Sequence, residues 1–370
     1  MMTVSRALRR QPGVSPQVAR KIRRLAEAVG YRSNPLIQAL MSQVRSGRPA
    51  KPGTDVIALV LPQGDDPTWG RQEWIRRGIL GATERAQQNG FQLEVFRWQR
   101  THVSDQRLDQ ILKARGIRGL VIAPSQQPGL DLALDWEHYA SATIGASMRH
   151  PRLHRVRHHA FRSIQLAIQK LHEAGRERIG LALSDTTAAR VEDLWQAGFL
   201  VATASYPEKR RRRLLHQTPN LERNKFLAWV RAAQPDGLVM QDNRCLVWLR
   251  EAGLRVPEQI AVAHLNRSSE QKAVAGIDQE FEFVGAATVD LVAEQCRFGE
   301  FGIPLRPKDV LLDGVWVPGR TVCPLPDRSS APWRAGRGFA AGGTHRPTGT
   351  SAKPRDAMGR SSSITCEPSG

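Results

Sequence analysis

The sequence predicts an α/β protein in which two parallel sheets flanked by helices follow a small all-α head. Three observations lead there. From residue 55 to about 326, apolar runs of strand length alternate with amphipathic stretches of helix length, the pattern of parallel sheets covered on both faces. Residues 1–45 instead read as short helices separated by turns bearing Pro and Gly, without a strand-like run. Between them lies a polar linker, 46–54, containing Gly47, Pro49, Pro52 and Gly53, which marks a domain boundary.

In the head, Gln11-Pro12-Gly13 breaks a first helix from a second that opens at Ser15-Pro16 and ends at Gly30. Serine caps a helix well, and proline suits the first helical position. Val18, Ile22, Leu25, Ala26 and Val29 recur at three- and four-residue steps, so one face is apolar while Arg20, Lys21, Arg23 and Arg24 point elsewhere. Asn34-Pro35 starts a third short helix over 36–41.

In the core, 56–61 reads as a buried strand and 73–89 as a helix closed by Gly90. Further strands are expected at 93–98, 119–123, 142–145, 179–183, 198–204, 237–240 and 260–265, with an amphipathic helix at 162–174. The strands divide into two lobes, 55–147 and 148–326, with the chain crossing back near 278–292. Two such lobes would enclose a cleft. Beyond 326 the composition turns to Arg, Gly, Ser, Thr and Pro with few aliphatics, so 327–370 is expected to be a disordered tail.

The formal charge of +19 over 370 residues makes nucleic acid or another polyanion the first partner to consider. Its distribution is sharper than its sum. Between 1 and 52 the basic residues Arg6, Arg9, Arg10, Arg20, Lys21, Arg23, Arg24, Arg32, Arg45, Arg48 and Lys51 are opposed only by Glu27, which marks a DNA-facing head. The run Lys209 to Arg213 lies far from that head and reads as a solvated loop of the core. The 4 cysteines, Cys245, Cys296, Cys323 and Cys366, have neither disulfide-framework density nor zinc-site spacing. No signal-peptide or membrane-spanning run is present, so a cytoplasmic, nucleoid-associated location is expected, and an exported solute-binding protein is not. No nucleophile elbow, Walker loop or dinucleotide fingerprint occurs, so neither an enzyme nor a cofactor is expected.

Thr3-Val4-Ser5-Arg6-Ala7-Leu8, Val14-Ser15-Pro16, the stretch from Leu25 to Arg32 and Asn34-Pro35-Leu36 together resemble the headpiece signature of lactose/galactose repressor family regulators. The stretch from His172 to Gly180 resembles that family's helix-to-strand junction, and Pro235-Asp236-Gly237 with 249–263 resembles its sequence around a later strand. The similarity spans roughly 1–322, weakening after Ser184. It implies a two-lobed, periplasmic-binding-protein-like core behind a helix-turn-helix. The family's first helix and turn would precede Thr3, so the matched head is partial.

On this resemblance Arg6 falls on a base-contacting arginine, whose guanidinium can reach two acceptors on guanine at once. Thr3, Ser5, Arg9, Arg10, Arg32 and Asn34 would meet phosphates. Leu40 matches the hinge-helix leucine that wedges into the minor groove, while Ile37 stands where a small residue is usual. Effector-binding candidates follow the rule that open parallel sheets bind ligands at their carboxyl edges: Asp65, Asp66 and Trp69 from the first lobe, and Arg190, Trp195, Asp242, Asn266 and Gln279 from the second. His158-His159 stands where the family often has Asp-Asn, and His264 and Arg267 replace glycine and aspartate. As a pair without an evident third ligand, the two histidines read as polar surface and not as a metal site. The implied protein is a cytoplasmic homodimer, a repressor binding a two-fold DNA operator under control of a sugar-like effector. A ligand-sensing protein of the same core without specific DNA binding is the alternative.

Overall fold

The structure is a computed structural model that describes residues 15–28, 55–63 and 68–323. Helix α1 spans Pro16–Ala28. The side chain of Ser15 accepts a hydrogen bond from the Val18 amide at 3.4 Å, as expected of an N-cap. Arg20, Lys21 and Arg24 are exposed, and so are Val18 and Leu25 from the expected apolar face. The remainder of the expected head, the 46–54 linker and the 327–370 tail lie outside the described residues.

From β1 (Val56–Pro62) the chain continues through α2 (Glu73–Gln88), β2 (Gln92–Trp98), α3 (Asp105–Ala114), β3 (Gly119–Ile122), β4 (Leu130–Asp131), β5 (Ala140–Ile144), β6 (Met148–His150) and β7 (His154–His158). Then follow α4 (Ala160–Glu173), β8 (Ile179–Ser184), α5 (Asp185–Ala189), α6 (Leu194–Ala202), α7 (Glu208–Arg213), β9 (Leu215–Thr218), α8 (Arg223–Ala233), β10 (Gly237–Met240), α9 (Arg244–Glu251), β11 (Ala261–His264) and β12 (Ala275–Asp278). Helix α10 (Phe281–Phe298), β13 (Asp309–Leu312) and β14 (Val315–Val317) complete the order.

Two compact units result. The first holds the described residues from 55 to His159 with Ala189–Glu192 and Glu280–Asp313. Its sheet is entirely parallel in the order β13-β7-β5-β3-β1-β2. Strand β1 is apolar throughout because both faces are covered: Ile57, Leu59 and Leu61 join α2 and α10, while Ala58 and Val60 pack with Leu108 and Leu112 of α3. Helices α2 and α10 cross so closely that a Cβ on Gly81 would overlap the Glu282 carbonyl and one on Gly285 would overlap the Gly78 carbonyl. Only glycine allows two helix backbones to meet there.

The second unit comprises Ala160–Ala188, Asp193–Gln279 and the described residues from Gly314. Its sheet runs β14-β12-β11-β10-β8-β9, parallel except that β14 pairs antiparallel with β12. Phe226, Val230, Leu246 and Leu249 of α8 and α9 close one core against Leu238, Met240 and Val262.

The expected strand over 198–204 is instead mostly helix α6, a correction with a local cause. A short apolar run lacks a decisive period, and here packing decides. Gly198 sits against Phe161 and Ile164 of α4 with no room for a side chain. The Thr203 hydroxyl then donates back to the Phe199 carbonyl at 2.7 Å. Among the described residues no helix is long and apolar enough to cross a membrane.

Candidate functional site

Parallel strands release their following loops at one edge, so residues distant in sequence collect there. In the first unit, β1 leads to a short 3-10 turn, Trp69–Arg71. The Trp69 ring is buried, and its Nε1 donates to the carbonyl of Pro124 beyond β3 at 3.2 Å. It meets Trp74 edge-on at 5.3 Å, and Trp74 meets Phe281 at 4.9 Å. His158, closing β7, stands 5.9 Å from Phe281. These rings form a continuous aromatic floor beneath the carboxyl edge.

Arg190 lies over this floor, its guanidinium carbon 5.0 Å from the centre of the Trp69 ring. Burial pushes the Arg190 pKa below its ordinary value, but a guanidinium remains charged under any physiological condition. The contact with the ring face offsets part of its desolvation. Arg190 is half-buried there, and a guanidinium is a group that ligand oxygens can accept from. Nearby, the Ser125 amide donates to the Ser147 hydroxyl at 2.8 Å, tying the exits of β3 and β5 together.

His158 departs from the polar-surface expectation. It is buried, and burial first, then the charges of Arg157 and His159, push its pKa down to about 3. The ring is neutral near pH 7 and belongs to the packed wall. Among the described residues no cluster of three or more His, Cys, Asp or Glu has metal-site geometry.

In the second unit the neighbouring strands β10, β11 and β12 bring Asp242, Asn266 and Gln279 to their carboxyl edge. The Asp242 carboxylate accepts from the Arg244 amide at 2.9 Å and from that residue's Nη2 at 2.6 Å, so its charge is locally compensated. His264 ends β11, and its Nδ1 accepts from the Asn266 amide at 3.0 Å. Burial pushes the His264 pKa down to about 4 against the opposing pull of the Gln241 backbone and the Asp242 charge. Gln279 is buried, and its side-chain amide donates to the Leu265 carbonyl at 2.6 Å, fixing the β11 exit against that of β12. The Asn266 side chain is half-buried.

Trp195 lies on α6 and is buried, so a helix and not a strand exit positions it. Asp65 and Asp66, and all of Thr3, Ser5, Arg6, Arg9, Arg10, Arg32, Asn34 and Leu40, lie outside the described residues. Sequence reasoning missed Trp74, Phe281, Ser125 and Ser147. The available signal was their position immediately after a strand or at the first turn of a helix.

A model of the periplasmic binding protein-like domain matches residues 168–322. No curated protein matches. Among solved structures, the transcriptional regulator CelR in complex with cellobiose aligns with a TM-score of 0.54 and 19% identity, covering 86% of this chain and 95% of its own. The lac repressor dimer bound to operator and the anti-inducer ONPF gives 0.54 and 15%, covering 87% and 95%. A LacI family transcriptional regulator from Enterococcus faecium with bound ribose gives 0.54 and 16%, covering 74% and 100%. At these identities the likeness establishes the fold: this chain has a periplasmic-binding-protein-like core of the architecture found in LacI family transcription regulators.

Proposed function

We propose that this chain is a sequence-specific DNA-binding transcription regulator, a repressor acting as a homodimer, whose operator affinity is set by a sugar-like effector. The observation that carries the reading is the placement of Asp242 and Asn266 just beyond neighbouring parallel strands of the second unit, in a fold shared with regulators solved with cellobiose, ribose or operator DNA. In the second unit Asp242 supplies a carboxylate and Asn266 an amide, and in the first unit Arg190 stands over the Trp69 ring; each of these groups is of a kind suited to hydroxyl-rich rings. Trp195, Gln279 and the two aspartates Asp65 and Asp66 complete the proposed effector set. DNA contact is assigned to the head, with Arg6 reading bases, Thr3, Ser5, Arg9, Arg10, Arg32 and Asn34 on the backbone and Leu40 in the minor groove. The exposed Arg20, Lys21 and Arg24 of α1 add to its positive surface. Regulation requires that the effector favour one state energetically.

The test pairs two titrations of the full chain. Fluorescence anisotropy on a library of duplexes at stepped salt should reveal one preferred two-fold site above the salt-dependent background. Calorimetry with cellobiose and ribose should show saturable binding of one sugar, weakened by Arg190→Met or Asp242→Asn by about tenfold, the loss expected of a charge-assisted hydrogen bond. Sugar binding without a preferred duplex would support the alternative of a ligand sensor lacking specific DNA binding. Failure of both would overturn the reading.

A further inference from the structure

We propose that the first unit carries a site for a multivalent, phosphate-bearing small molecule, in the cavity between the β5-to-β7 crossover and the amino-terminal ends of β7 and β13. The cavity measures about 680 Å³, a metabolite-sized volume. Register pairs Thr143 of β5 with Arg155 of β7 and Arg155 with Asp309 of β13, so these three share one face of the sheet. The opposite face, with Ala142, Val156 and Val310, packs into the apolar core. Since β5 and β7 are parallel neighbours, the connection between them must run back along the sheet, and it brings Arg149, His150 and Arg152 onto the cavity wall. Asp309 begins β13 and Arg155 is the second residue of β7, while Ala189 and Glu192, on either side of Arg190 in sequence, complete the lining.

The charge balance decides what the cavity would take. Its two acids are already engaged. Glu192 accepts from Arg155 at 2.8 Å and Arg157 at 3.0 Å, and Asp309 accepts from the same two arginines at 2.8 Å. Among the described residues Arg149 and Arg152 make no ion pair, and Lys308 pairs with Glu294 at 3.7 Å. The exposed Arg149 passes over Gly129, its guanidinium about 3.8 Å from where a Cβ there would stand. Two arginines without an ion pair, the paired Lys308 and a histidine thus line a concave volume whose wall includes the buried Thr143. Guanidinium groups match phosphate oxygens in pairs, and several of them around one cavity favour a multivalent anion over a single monovalent ion.

The probe is inorganic pyrophosphate, titrated calorimetrically into the full chain. Saturable binding at one site per chain is expected, and the Arg149→Ala/Arg152→Ala double variant should weaken it by about tenfold or more. Lys308→Met should weaken it by a smaller factor, and serves as the second readout should the double variant unfold. Arg211→Ala/Arg212→Ala removes equal charge from residues that do not line the cavity and should leave the affinity within about twofold, because an exposed charge that does not touch the ligand is screened by salt. Absence of saturable binding, or equal weakening by the two double variants, would overturn the proposal. This site stands whether or not the chain regulates transcription.

Discussion

Lowering the pH from 7.5 to 5 should destabilise each unit through a histidine that folding keeps neutral. His158 in the first unit and His264 in the second are both buried, with pKa values pushed down to about 3 and about 4 from an ordinary 6.5. Below pH 6.5 the unfolded chain takes up a proton at each position, whereas the folded chain does so only near the depressed values. The stabilisation is therefore complete above pH 6.5 and is lost as pH falls toward the folded values. Each pH unit in that window removes about 1.4 kcal/mol per histidine. Between pH 6.5 and 5 the loss is about 2 kcal/mol in each unit. His154 and His216, also pushed down by burial, act in the same direction. The carboxylates do not confuse this window, because Asp109 and Asp309 lie below an ordinary 3.8 and act only at lower pH. Urea unfolding followed by tryptophan fluorescence at pH 7.5, 6.5 and 5.0 measures the effect. His158→Phe should remove one proton from the pH dependence of the first unit, whatever it does to absolute stability. A wild-type free energy unchanged between pH 7.5 and 5.0, or an unaltered slope in the variant, would refute the reasoning.

Gly81→Ala should destabilise the first unit by about 3 kcal/mol or more, as measured by denaturant unfolding, because the new methyl meets the Glu282 backbone and neither helix can yield locally. Glu192→Gln should cost about 1 kcal/mol, since it removes one of two acids facing Arg155 and Arg157 while keeping a side chain at this left-handed position; the cost should shrink at high salt, and a salt-independent cost would contradict an electrostatic origin. In thiol titration of the native chain at pH 8, Cys245 and Cys296 should stay unreactive, because burial raises both pKa values, that of Cys296 to about 12. The partly exposed Cys323 should react, and prompt labelling of Cys245 would show its core to be open.

The legible parts of the fold were those in which a local pattern and the final packing agree. Strand β1 reads as apolar in every position because α10 covers one face and α3 the other. Helix α2 reads clearly for the converse reason, with buried Ile75, Ala82 and Ala86 against polar positions between them. Strand β7 carries an equally regular alternation, but its inward positions are His154, Val156 and His158 and its outward ones Arg155 and Arg157. Histidine can serve as an apolar residue only once burial has removed its charge, and that condition is set by Phe281, far along the chain. The edge strands β9 and β13 are short and half-exposed, so their patterns are correspondingly weak. At α6 the local sequence was ambiguous, and the contact of Gly198 with α4 resolved it in favour of helix.

The candidate sites were legible to the extent that they obey topology. Asp242, Asn266 and Gln279 each follow a strand closely, and adjacency of β10, β11 and β12 is enough to gather them. Their chemistry was less legible, since only the fold shows Gln279 spending its amide on Leu265 and Asp242 holding Arg244. Arg190 illustrates the opposite case. It follows α5, and nothing nearby in sequence indicates that its guanidinium will rest on Trp69. The basic cavity is less legible still, because its meaning depends on subtraction. Arg155 and Arg157 are as cationic in sequence as Arg149 and Arg152, and only the distances to Glu192 and Asp309 show which charges are already answered. A charge count along the chain therefore overstates the positive surface available to a partner, and the residual charge, located on a concave wall, is what gives a ligand a defined place to bind.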